Sequence, residues 1–153
     1  TDPLSSISWR GPMTSKALYQ LISLTDWGQL DYLIIDMPPG TGDIHLSLLQ
    51  NYVIGGVIMI TTPQKISAID VQRAVNLYRK FNVPIIGIIE NMSGYFSPNS
   101  EKITIFSGNS GKRIANEQDL TFLSKISLIP ELSELCDEGL PLGKYFDLLD
   151  FAI

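Results

Sequence analysis

Asp36 closes a short apolar run, Tyr32 to Ile35, and is followed at once by Met37, Pro38, Pro39, Gly40, Thr41, Gly42 and Asp43. A carboxylate beside a glycine-dense loop suits magnesium and phosphate chemistry. Mg²⁺ keeps several waters and needs only one or two carboxylates, while glycine lets backbone N–H groups come close to a terminal phosphate. Ligands of parallel α/β sheets bind at the carboxyl edge, so Asp36 is a candidate magnesium group, with Gly40 and Asp43 as further candidates on the same loop. The same residues also fit a tight turn whose aspartate caps a helix.

Asn91 follows another apolar run, Val83 to Ile89, after a single Glu90. Its amide carries the donor and the acceptor needed to read a purine edge, and it equally suits a turn whose backbone groups need partners. Thr61 and Thr62 either line a site or cap the helix after Pro63. Arg10, beside Gly11 and Pro12, faces a ligand, another subunit or solvent; Lys65, Arg73, Arg79 and Lys80 read as solvated. His45 and Cys136 stand alone and read as structural.

One piece of phosphate chemistry is missing. A P-loop needs Gly-x-x-x-x-Gly-Lys-Ser/Thr between a strand and a helix, and no such segment occurs. Gly111 and Lys112 are adjacent, but Phe106 stands where the first glycine should be and Arg113 where the hydroxyl should be. That stretch reads as a helix start.

The elements that must position these residues alternate. Apolar spacing from Met13 to Leu24 after Gly11 and Pro12 predicts a first helix. Asp31–Asp36, Val53–Ile60 and Val83–Ile89 are apolar runs without alternation, as strands covered on both faces are. Helices are expected over Ile44–Gln50 and Ile66–Phe81. Met92 to Asn109 is rich in Ser, Asn, Gly and Pro, an excursion with a β-like patch at Ile103–Phe106. Helix Lys112–Gln118, strand Phe122–Ile126 and helix Glu131–Glu138 follow. The fold class is α/β, a mostly parallel sheet of about four strands flanked by helices.

Composition bounds the partners. The 153 residues are 44% hydrophobic, enough to bury a core in one domain, residues 1–153. Sixteen acidic against eleven basic residues, a net charge of -5, argue against a nucleic-acid partner. No run approaches the roughly 20 apolar residues that span a bilayer. A single cysteine excludes an internal disulfide and fits a reducing cytoplasm.

Asp36 to Asp43 resembles the merged Walker B and switch II segment of the Mrp/ApbC ATPases, relatives of MinD, ParA and the nitrogenase iron protein. Trp9 to Met13, Thr61 to Gln64, Glu90 to Ser93, and Ile129 with Pro130 agree in order, so the resemblance covers nearly the whole chain. It implies a MinD-like P-loop NTPase fold, incomplete at its N-terminus, with ATP and Mg²⁺ as cofactors. Asp36 is then the Mg²⁺ residue, Gly40 senses the γ-phosphate, Asn91 bonds the adenine, and the loop from Pro130 and Glu131 covers the base. The resemblance further implies a homodimer serving iron–sulfur client proteins. The family's P-loop lies upstream of its switch II, so this chain is expected to be the C-terminal part of an ATPase domain, inactive alone and prone to associate through a bared sheet edge. The family's Cys-x-x-Cys, after its Asn-Met-Ser segment, is replaced here by Ser97, Pro98, Asn99 and Ser100. Hydroxyls and amides do not replace thiolates as cluster ligands, which puts the iron–sulfur cluster in doubt and leaves a cluster-free MinD- or ParA-like switch as the alternative.

Overall fold

The computed structural model describes residues 11–96 and 102–141. The expectations for Arg10, Ser97 and Ser100 lie outside the described residues. Two compact units divide the chain, one within Thr1–Ile54 and one within Gly55–Ile153.

The first unit holds α1, Gly11–Ser23, and α2, Asp43–Asn51. Pro12 lies in the first turn of α1, where a missing N–H costs nothing. The two helices pack together through hydroxyl pairs: Ser15 Oγ lies 2.7 Å from Ser47 Oγ, and Ser23 Oγ lies 2.9 Å from Tyr52 Oη. Leu48 and Leu49 bury the apolar side of α2.

The strand expected over Asp31–Asp36 does not form. Tyr32 and Ile34 are 84% and 90% exposed, and no ladder joins the segment among the described residues. An apolar run has strand propensity only as a surface that fits neighbours; without a paired strand beside it the tendency has nothing to act on. Asp36 therefore ends an unpaired segment, not a sheet strand.

The second unit is the α/β body. It contains β1 (Val57–Thr61), α3 (Lys65–Lys80), β2 (Ile85–Glu90), β3 (Tyr95–Phe96), β4 (Lys102–Ile103), α4 (Ser110–Gln118), β5 (Phe122–Lys125) and α5 (Pro130–Asp137). Strands β1, β2 and β5 form a parallel sheet in that order. Two successive crossovers in one direction place α3 and α4 side by side on the sheet, where both make contacts with β1 and β2. Ala68, Val75, Ile88 and Ile114 are fully enclosed there. The expectation of strands covered on both faces fails at β1. Met59 and Thr61 are buried, whereas Ile58 and Ile60 remain 44% and 52% exposed.

Helix α3 ends where Asn82 turns left-handed (φ 57°), letting the Val83 N–H return to the Tyr78 carbonyl at 3.0 Å. The excursion after β2 contains the antiparallel pair of β3 and β4, shifted toward the chain start from the β-like patch expected at Ile103–Phe106.

Candidate functional site

Because the three strands are parallel, their carboxyl ends share one rim, with Thr61, Glu90 and Lys125 in register across it. Three backbone bonds lace the segments leaving this rim. The Asn91 N–H donates to the Thr61 carbonyl (2.7 Å), the Ser93 N–H to the Ile126 carbonyl (2.9 Å) and the Leu128 N–H to the Gly94 carbonyl (2.7 Å). The chain after β2 thus runs beside the chain that leads into α5. Asn91 and the entrance to α5, far apart in sequence, are brought to one edge.

The Asn91 side chain is half-buried. Its Oδ1 accepts the Met92 N–H at 2.8 Å, where Met92 has a left-handed φ of 57°. One acceptor lone pair is thereby committed to the turn, while Nδ2 has no protein partner among the described residues. The amide thus keeps its N–H donors and a second oxygen lone pair for other partners. Pro130 opens α5 with its φ already fixed for a helix, and Glu131 places a carboxylate in the first turn. Both residues are exposed.

Thr61 and Thr62 do not cap α3, whose N-cap Gln64 makes no side-chain bond. Instead Ser67, in the first turn of α3, reaches back: its Oγ accepts the Thr62 N–H at 3.1 Å and lies 3.0 Å from Thr61 Oγ1. The strand end is tied to the helix, and Thr61 is buried in the body.

The glycine-rich stretch before α4 is a packing device. Gly108 has φ +129°, and a Cβ there would stand 2.3 Å from the Pro63 carbonyl oxygen. Ser110 Oγ donates to that same oxygen at 2.8 Å. This agrees with reading the stretch as a helix start.

Asp36, Gly40 and Asp43 belong to the first unit. The Asp36 carboxylate is exposed, as a magnesium group that works through retained waters must be. Gly40 adopts φ +92°, and nothing lies within 4 Å of where a Cβ would sit, so its backbone is open to an approaching phosphate. Asp43 is the first residue of α2, where its charge complements the free N–H groups. These features fit Mg²⁺ and a terminal phosphate. Iron–sulfur donors do not fit: the single thiol, Cys136, is exposed on α5, and among the described residues no three His, Cys, Asp or Glu side chains cluster to hold a metal.

Glu90 carries no role among the expectations from sequence. It is 1% exposed, yet ionisable residues are rarely buried without partners. A charge closing an apolar run was the available signal; its partners, Gly111 and Lys125, lie far along the chain.

The family model of ParA, described as a NUBPL iron-transfer P-loop NTPase, matches residues 1–147. The chain belongs to this ParA/NUBPL family. Among the family's curated relatives, the iron–sulfur cluster carrier protein of Rickettsia bellii is 54% identical over 97% of this chain and 43% of its own length. That of Methanocaldococcus jannaschii is 43% identical over 92% of this chain and 49% of its own. The ParA/NUBPL chain therefore spans about half the length of these relatives or less. A nucleotide-binding protein from Archaeoglobus fulgidus, solved in complex with ADP, superposes with a TM-score of 0.74 at 30% identity, covering 83% of this chain and 53% of that one. MinD of Pyrococcus furiosus, at 18% identity, covers 92% of this chain and 55% of its own with a TM-score of 0.57, and shares the fold.

Proposed function

We propose that this chain is the magnesium- and base-reading half of an ATP-dependent iron–sulfur cluster carrier, the C-terminal part of a P-loop ATPase domain. The observation that carries the reading is the laced rim, on which Asn91 and the Pro130 entrance to α5 share the carboxyl edge of a parallel sheet.

In this reading Nδ2 of Asn91 donates to the adenine, and Pro130 with Glu131 covers the base. Asp36 accepts hydrogen bonds from waters of the nucleotide's Mg²⁺, and the Gly40 N–H donates to the γ-phosphate. Asp43 holds the loop by anchoring α2. Bound Mg²⁺ supplies charge neutralisation for phosphoryl transfer to water. The lysine and amide cradle of a P-loop must come from sequence other than these 153 residues. The working form is a cytoplasmic homodimer, its nucleotide state governing contact with iron–sulfur clients, and the cluster is cargo.

One observation favours a second reading, a MinD-like nucleotide switch without a cluster. The chain offers one thiolate, so a dimer brings two from this half, short of four cluster ligands. Anaerobic reconstitution of the full-length protein separates the two: a stable cluster absorbance favours the carrier, its absence the switch.

Hydrolysis tests the main reading. The full-length protein is expected to hydrolyse ATP only with Mg²⁺, and the isolated 153-residue chain not at all. Equal turnover by both would overturn it.

A further inference from the structure

Glu90 is the most buried ionisable residue of the rim, and its carboxylate and carbonyl bond to α4, to β5 and to Ser93 beyond the turn after β2. Its Oε2 accepts the Gly111 N–H, in the first turn of α4, at 2.8 Å. Its Oε1 lies 3.1 Å from Lys125 Nζ at the end of β5. Ser93 Oγ lies 2.7 Å from the Glu90 carbonyl oxygen and 3.3 Å from Oε1, and that carbonyl also accepts the Ile126 N–H at 2.9 Å.

Asn91 and Met92 are the residues between these clamped points. The left-handed Met92 is disfavoured for a residue with a Cβ and persists only where its surroundings over-determine it. Glu90 supplies that over-determination from below: one carboxylate ties the turn to α4 and to β5, and Ser93 closes it from the far side. Gly111 fits the same design, since a Cβ there would stand 2.8 Å from Glu90 Cβ.

We propose that Glu90 is the positioning residue of the base-reading turn, holding the Asn91 amide at the angle from which it meets a purine ring. The proposal rests on Asn91 reading the base. It assigns Glu90 no contact with nucleotide and no proton transfer; the carboxylate acts through the turn alone.

A positioning role separates base binding from phosphate binding. The test measures equilibrium affinity of the full-length protein for ATP and for inorganic tripolyphosphate, which has no base. Glu90→Ala is expected to weaken ATP by about tenfold, the size of one lost hydrogen bond, and to leave tripolyphosphate unchanged. Glu90→Gln keeps an acceptor for the Gly111 N–H and should recover most of the loss. Should Glu90→Ala not fold, Glu90→Leu with Lys125→Met fills the places of the buried carboxylate and the half-exposed lysine with apolar groups of similar volume and leaves neither charge without its partner. This double variant should fold and still lose the preference for ATP. Equal weakening of both ligands, or of neither, overturns the role of Glu90, as does a Glu90→Gln variant no better than Glu90→Ala. Asn91→Ala keeps the failures apart: if it leaves ATP affinity intact, the base-reading turn itself is wrong and Glu90's role falls with it. If it weakens ATP while the Glu90 variants do not, only the positioning role is lost.

Discussion

Gly108 shows how a single residue can set the geometry of a rim. Its φ of +129° suits glycine alone, and the Pro63 carbonyl occupies the space a side chain needs. Gly108→Ala must move that carbonyl, which also accepts the Ser110 hydroxyl. A loss of about 2–3 kcal/mol is expected from strain and a disturbed bond together, read as a lowered denaturation midpoint at unchanged m-value. Stability within about 0.5 kcal/mol of wild type would contradict the close approach. At this scale the sequence was partly legible. That Asn91 stands at a strand end could be read from the apolar run before it. That Oδ1 is committed to Met92, and that Glu90 joins Gly111 to Lys125, could not, because both depend on how segments far apart in the chain meet.

Among the elements, α2 carries a buried titratable group. His45 is buried on its inner side, and desolvation lowers its pKa below the ordinary value of 6.5. The unfolded chain therefore takes up this proton at a higher pH than the folded one. Stability contributed by neutral His45 is full above the unfolded pKa and is lost as pH falls from there toward the folded value. Acidification from pH 7.5 to 5.5 should lower the thermal midpoint, and His45→Gln should flatten that dependence. An unchanged slope in the variant would refute the assignment. The helices were the legible elements, because a 3.6-residue apolar stripe such as that of α3 is a property of the segment itself. The run Asp31–Asp36 was not, since a strand exists only through its neighbours and none pairs with it among the described residues.

For the whole molecule, the α/β class was legible from the alternation of apolar runs and amphipathic stripes, and the sheet order was not, because a list of strands does not state which are adjacent. Strand β1 pairs only with β2 among the described residues, and it carries exposed Ile58 and Ile60. An unpaired edge with apolar side chains is a template for another chain. The isolated 153-residue chain should associate with rising concentration in sedimentation velocity, and Ile60→Lys should reduce that association. A wild-type chain monomeric at every concentration would contradict this.

That Asp36 serves the magnesium of a bound nucleotide is tested by a titration of ATP into the full-length protein with and without Mg²⁺. Wild type should bind ATP at least about tenfold more tightly with the ion, and Asp36→Ala should lose most of that increment while its Mg²⁺-free affinity stays the same. An undiminished Mg²⁺ increment in Asp36→Ala would refute that role.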